Sequence, residues 1–423
     1  MKTRGLEKQK IQFPQITALY IGTVLGSGIL LIPGLAADIS GPASLLAWGI
    51  MSLLVIPMAL TMGLLSASYP DAGGVSYFVS KAFNPRAGSL VGWFFLMSVA
   101  TGAPVITLTG AGYLCAALGW GESARIILAG IMLLAGITIN YSGIKITGSL
   151  QLIVVLAIIG IFAVTLAGSI WKISPANYEP FMPRGWMSVG QSIVIIFWCF
   201  LGWEAISNMS AEFENPKKNA VKGTMIAAVI ISAIYLLTAY VVVGTKSYGN
   251  GMSDASLIYI IEGSYGQNGA LIAGCSAFFI CLAPIIAYVG AASRLAYSLS
   301  VNGYAPKELS TMSKHRTPTG GLLFLAACFI VILAAFSAMT ISISTLIELP
   351  NTTFILTYIC GCAAGIRLLK GDRFGVAVSA VSLVLTGTMF FFVDWKTVFY
   401  YPLGIFLIWL YFDWKKGMNE QRS

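Results

Sequence analysis

Apolar runs, each about as long as the hydrocarbon layer of a bilayer is thick, follow one another along this 423-residue chain. They fall at 15–37, 43–68, 88–118, 124–141, 147–170, 188–211, 222–245, 269–299, 321–339, 342–366, 375–393 and 397–412. Inside lipid every backbone N–H and C=O must be paired within the protein, which leaves only helices and closed barrels. Uninterrupted runs of about 20 residues select helices over alternating strands. The expected fold is all-α: a polytopic membrane protein with twelve transmembrane helices. At 57% hydrophobic and only 10% charged residues the chain is incompatible with a water-soluble domain of this size. No hydrophilic stretch much exceeds about 20 residues, an ordinary loop length. The whole of 1–423 is therefore expected to be one transmembrane domain, with its chemistry inside the bundle or at its mouths.

Charge sets the expected sidedness. With the N-terminus in the cytoplasm, all but Arg125, Lys172, Arg184, Lys246 and Lys396 of the 25 Lys and Arg residues fall on the inner side. The excess of cytoplasmic Lys and Arg then places both termini inside the cell, in a multi-pass protein of the cytoplasmic membrane. The net charge of +9 is explained by this topology and by anionic lipid headgroups, so it calls for no nucleic acid. The basic start and first apolar run read as a retained helix rather than a cleaved signal, because further spans follow. The seven cysteines lie in or at the ends of apolar spans with no Cys-x-x-Cys spacing, and His315 is the sole histidine. Neither a metal site nor a disulfide framework is expected, and no cofactor is called for.

Two of the spans carry glycine where a helix does not favour it. Gly22-Thr23-Val24-Leu25-Gly26-Ser27-Gly28-Ile29 lies mid-way along the first span, and Phe197-Trp198-Cys199-Phe200-Leu201-Gly202-Trp203-Glu204-Ala205 interrupts the sixth. Glycine costs a helix interior about 1 kcal/mol relative to alanine. Gly22 and Gly26 alone form a close-packing GxxxG pair. The third glycine and intervening Ser27, matched by the break in helix six, favour a broken helix lining a polar cavity. Half-helices that begin and end at mid-membrane aim bare N–H groups and bare carbonyls into that cavity, an arrangement suited to a small zwitterion. Helices one to five (15–170) and six to ten (188–366) read as two repeats of opposite orientation, whose breaks meet at the midplane. Helices eleven and twelve (375–412) have no mid-span polar residue that suggests function, and read as scaffold or an oligomer face.

Four motifs together resemble the amino acid/polyamine/organocation superfamily of permeases with the LeuT-type fold. They are Gly26-Ser27-Gly28-Ile29, Tyr69-Pro70-Asp71-Ala72-Gly73-Gly74-Val75, the sixth-span stretch running into Glu212-Phe213-Glu214-Asn215-Pro216-Lys217, and Asn302-Gly303-Tyr304-Ala305-Pro306 leading to Thr317-Pro318. Within that superfamily, the short chain and the Phe197-Trp198-Cys199-Phe200 wording look most like bacterial exporters of methionine and branched-chain amino acids.

The resemblance implies that the amides of Ser27, Gly28 and Ile29 hold a substrate carboxylate. The carbonyls of Val24, Trp198 and Leu201 would take its ammonium. A backbone cradle reads only the head common to all amino acids, so side chains must set specificity. The implied lining is Trp198, Phe200, Trp203, Thr101, Pro104, Tyr288 and Ile355, an apolar set without a basic residue. Trp198 and Tyr288 match gating aromatics in the family, although aromatics near a midplane also serve as ordinary packing. Glu204 is a carboxylate deep in the membrane, costly there unless paired or protonated, and so a candidate to carry a proton or simply to cap the freed amides of the break. Glu348 is a second candidate, unless it sits in water at the outer mouth.

Two family devices are missing. The lysine some relatives carry in helix five has no counterpart between 150 and 167, where Ile158 is nearest its position, and 282–292 lacks the adjacent hydroxyls that bind sodium in others. Proton coupling or ion-free exchange remains. The expected function is secondary transport of neutral, mainly apolar amino acids by alternating access, with export ahead of import by proton symport or exchange. A non-transporting amino-acid sensor is the reading from another class, and an enzyme would need a nucleophile with its base or a metal cluster that the chain does not offer. The substrate amino acid, its direction, the coupling ion and the oligomeric state stay open.

Overall fold

The computed structural model describes residues 13–69, 73–142, 148–204, 216–313 and 317–420. Among them there is no strand. The first apolar run forms two half-helices, α1 (Phe13–Leu25) and α2 (Gly28–Ser40). Then come α3 (Ser44–Ser68), α4 (Gly74–Ala82), α5 (Pro85–Leu118), α6 (Glu122–Tyr141) and α7 (Gly148–Ser169). The second half contains α8 (Gly185–Ile196), α9 (Pro216–Gly244), α10 (Ser256–Val301), α11 (Thr319–Ser337), α12 (Ile343–Leu368), α13 (Arg373–Thr388) and α14 (Trp395–Glu420). Among the described residues, nine helical stretches are long and apolar enough to cross a membrane, and Gly185–Phe200 is a shorter apolar one. Pro70, Asp71, Ala72, the stretch 205–215 and His315 lie outside the described residues.

The apolar run expected to begin at 269 is preceded by further helix in α10. Gly266 has a left-handed φ of 68°, which only glycine adopts without strain, and it separates the leading stretch from the membrane-length helix behind it. Large apolar side chains stand exposed on the outer helices, among them Leu134 on α6, Leu156 on α7, Leu323 and Ile330 on α11 and Val384 on α13. Such a belt would be an aggregation surface in water, and in a bilayer it faces lipid.

Lipid removes the hydrophobic drive that pulls helices together in water, so association depends on close contact and on polar links. Small residues provide the contact. A Cβ added at Gly110 of α5 would stand 2.8 Å from the Cβ of Cys281 on α10, and one at Gly274 of α10 would stand 2.8 Å from Ala117 on α5. Those two glycines let α5 and α10 run against each other at backbone distance, making the wall on which the interrupted helices rest.

Polar links gather at the two ends of the bundle. At the first end Arg184 donates to the carbonyls of Asp38 and Ile39, the Ser174 amide to Gly244 at 3.0 Å and Asn177 to the same carbonyl at 2.7 Å. At the second end Trp93 Nε1 donates to the Tyr304 carbonyl at 2.8 Å, and Lys416 stands 3.9 Å from the centre of the Tyr304 ring. Arg86 pairs there with Asp413 at 3.3 Å, and Trp409 donates to Ser89 at 2.9 Å, so α14 is clamped to the start of α5. α14 is also tied to α5 within its span. The Tyr401 hydroxyl donates to the Met97 carbonyl at 2.8 Å and lies 3.2 Å from Thr101 Oγ1 on α5.

Candidate functional site

The two interruptions face each other. α1 ends at Leu25, Gly26 and Ser27 form a turn, and the amides of Leu30 and Leu31 then bond the Ser27 carbonyl at 3.1 and 3.3 Å to restart the helix. The leading N–H groups of α2, those of Gly28 and Ile29, have no acceptor within that helix. In the second half, α8 tightens into a 3-10 turn over Phe197–Phe200, and Leu201 is extended with φ −79° and ψ 151°. Gly202 follows at φ 124°, a conformation that excludes other residues, and the helix resumes at Trp203.

One side chain stitches both breaks together. The hydroxyl of Tyr235 on α9 lies 3.1 Å from the Val24 carbonyl, 3.3 Å from that of Leu25 and 3.0 Å from that of Cys199. Its ring stacks on Trp48 at 5.2 Å and meets Phe200 edge-on at 5.3 Å, which fixes where the hydroxyl points. A carbonyl has two lone pairs, so Val24 can accept from Tyr235 and still face a ligand ammonium. The packing is tight: a Cβ at Gly28 would stand 2.9 Å from Cys199 Sγ and 3.2 Å from the Tyr235 hydroxyl.

Between the breaks lies a cavity. From the two interruptions Val24, Gly26, Ser27, Gly28, Trp198 and Leu201 line it. Opposite them α5 presents Ser98, Val99, Gly102, Ala103 and Ile106, one helical face at three- and four-residue spacing. Pro284 and Tyr288 of α10 and Phe354 of α12 complete the wall. No lining residue carries a formal charge. The Ser98 hydroxyl is turned into the protein, bonding the Phe94 carbonyl at 2.7 Å and Thr353 Oγ1 at 2.6 Å, so it adds little polarity to the wall. The Trp198 indole lies against Gly102, whose absent side chain makes room for it: a Cβ there would be 2.9 Å from Cη2.

Of the residues expected at the site, Val24, Gly26, Ser27, Gly28, Trp198, Leu201 and Tyr288 stand in the cavity wall. The others are placed elsewhere. Ile29 is buried beside it and could contribute only its backbone. Thr101 bonds Met97 and Tyr401 on another face of α5, and Pro104 shares that displacement. Phe200 packs on Tyr235 and Trp48, and Trp203 on Tyr20 at 5.5 Å. Ile355 is buried next to Phe354, which takes the lining position instead. Ser98, Gly102, Phe354 and Tyr235 were not foreseen from the sequence. The face that α5 turns inward is set by its packing on α10, so nothing local marks Ser98 and Gly102, nor Tyr235.

Glu204 is buried just behind the second break. Its carboxylate accepts from the Gly202 amide at 2.9 and 3.2 Å and from the Tyr358 hydroxyl of α12 at 2.5 Å. It thus satisfies a freed backbone donor and ties the break to α12, but it does not line the cavity. Glu348 lies in the second turn of α12, half-buried and also outside the cavity wall.

Comparison with known proteins gives this geometry its context. A family profile described as amino acid permease matches residues 11–412. An uncharacterised amino acid permease of Bacillus subtilis, YecA, is 34% identical over 98% of both chains. The L-methionine/branched-chain amino acid exporter YjeH of Escherichia coli is 31% identical over 93% of both chains. A branched-chain amino acid permease of Lactococcus lactis, BcaP, is 27% identical over 79% of this chain and 78% of its own. These relatives are transporters rather than enzymes, and their match spans the helices that build the cavity. The chain belongs to the amino acid permease family and is a multi-pass membrane transporter.

Proposed function

We propose that this protein is a secondary transporter of neutral, mainly apolar amino acids such as methionine and the branched-chain set. In this reading it works by alternating access and exports its substrate across the cytoplasmic membrane. The observation that carries the reading is the cavity itself, framed by the two helix breaks and walled by apolar side chains with no charged group. Exposed amides at the start of α2 suit a carboxylate, and the carbonyls of Val24, Trp198 and Leu201 suit an ammonium. The side-chain end then meets Ile106, Val99, Pro284 and Phe354, which favour thioether and branched aliphatic groups. Export is favoured by the name of the E. coli relative, an exporter of L-methionine and branched-chain amino acids.

The same reading takes twelve spans in all, ten of them as two inverted repeats over 15–170 and 188–366 with two further helices over 375–412, and both termini in the cytoplasm. The first end of the bundle, which gathers Arg125, Lys172, Arg184 and Lys246, is then the outer one. Glu204 is the proton-linked group. Its carboxylate sits at the joint between the second break and α12, where a change of protonation would alter the bonds holding the break.

Counterflow into proteoliposomes tests the substrate class. Labelled methionine and leucine should exchange against an internal pool of either, and excess arginine should not compete. Burying an unpaired guanidinium in this cavity would cost several kcal/mol. Strong arginine competition would overturn the apolar pocket.

The cradle is tested at Gly28. Gly28→Val should abolish methionine exchange and its binding alike, because the added side chain collides with Cys199 and Tyr235 and forces the two breaks apart. Exchange at the wild-type rate would remove the cradle from these residues.

Glu204→Gln tests the coupling. Glutamine keeps the hydrogen-bonding shape without a proton to release, so initial rates should lose their pH dependence and their response to an imposed proton gradient while exchange persists. A variant with the wild-type pH profile would make Glu204 a structural cap.

A further inference from the structure

The segment from Thr245 to the kink at Gly266 crosses the first end of the bundle and rests on α2. Its shape is set by the backbone: Lys246, Gly249, Asn250 and Gly251 all have φ between 49° and 81°. It approaches α2 most closely at Gly34, where any Cβ would collide with the Ser253 carbonyl and the Ser256 hydroxyl. Two side-chain ties hold it there. Ser253 Oγ donates to Asp38 Oδ2 at 3.0 Å and accepts from the Gly249 amide at 2.9 Å. The next residue, Asp254, accepts from Arg125 Nη1 at 3.1 Å.

Arg125 is built in rather than solvated. It is 8% exposed, donates through Nε to the Leu108 carbonyl of α5 at 3.0 Å, and has Glu122 as a second, more distant partner at 3.4 Å. The segment therefore bridges the two walls of the cavity. On one side it grips α2, the half-helix that begins at the cradle, and on the other it is pinned to α5 and α6. Opening the cavity toward this end parts α2 from α5, to which the Tyr113 hydroxyl also ties it through the Leu30 carbonyl, and a strap fastened to α2 at Asp38 and to Arg125 on the other side opposes that separation.

We propose that Arg125 and Asp254 form a latch that holds this end of the transporter shut, so that the strength of the pair sets the share of molecules open to the outside. The proposal rests on the reading that the cavity carries the substrate and that the first end faces out. Weakening the latch raises the outward-open fraction, and apparent affinity at a face scales with the fraction of molecules open to it. A merely structural ion pair would lower the amount of folded protein without favouring one face.

The test is KM for methionine measured separately at each face, in right-side-out and inside-out vesicles. In Asp254→Asn, Arg125 keeps Glu122 and the Leu108 carbonyl, so its charge is not stranded. This variant should lower KM at the outer face by about two- to fivefold and raise it at the inner face, the range expected for loss of one partly exposed pair. Ser253→Ala, which removes the tie to Asp38 without touching a charge, should shift both values the same way by less, and it carries the test if Asp254→Asn fails to reach the membrane. KM values that stay unchanged, or move together at both faces, would overturn the latch. A fall confined to the inner face would overturn the outward assignment of this end. Uptake by the wild-type protein in the same vesicles tests the transport reading separately.

Discussion

A peptide group that leaves its helix inside a bilayer has no water to turn to, and at two places this chain interrupts apolar helices within the bundle. The fold is arranged around those groups. Tyr235 places one hydroxyl among three carbonyls from the two breaks, Glu204 returns to the Gly202 amide, and the Ser27 carbonyl takes the restart of α2. The groups left over converge on one cavity. Satisfying every freed donor and acceptor internally would have given a sealed scaffold, and leaving a few of them open toward a shared space gives the polar cradle on which the proposed recognition of an amino-acid head rests.

The division of labour in the cavity follows from that. Backbone from the two breaks supplies polarity without charge, and α5, α10 and α12 supply an apolar wall. Because the Ser98 hydroxyl is turned toward Phe94 and Thr353, it adds little polarity to that wall. Gly102 and Gly28 work by absence: the first gives the Trp198 indole a seat, and the second lets α2 begin directly against Cys199. The ends of the bundle carry the charged contacts, with Arg86 and Asp413 at one and Arg125 and Asp254 at the other. The cavity between them is lined without a formal charge.

Much of this is legible in the amino-acid sequence. The apolar runs foretold the helices, and the glycines around Ser27 and at Gly202 foretold the breaks, because both signals are local in the chain. Val24, Gly28 and Trp198, which belong to the breaks themselves, line the cavity between them. Thr101 and Pro104 do not, since the face that α5 turns inward depends on its rotation against α10, and that is fixed by Gly110 and Gly274 meeting their partners rather than by anything near residue 101. Tyr235 was invisible for a related reason. A tyrosine in an apolar span is unremarkable until tertiary packing brings two broken helices to its hydroxyl. Arg125 read as one outer-side charge among five, and only its burial against the Leu108 carbonyl distinguishes it.

The central claim is that backbone groups freed at the two breaks recognise the amino-acid head while the apolar wall recognises the rest. Equilibrium binding of labelled L-methionine to the purified protein, competed by analogues altered at one end only, tests it directly. The account predicts that leucine competes well, and that methioninol, which lacks the carboxylate, and N-acetylmethionine, which lacks the ammonium, each fail. Competition by methioninol as strong as that by leucine would contradict it, because nothing would then be reading the carboxylate at the start of α2.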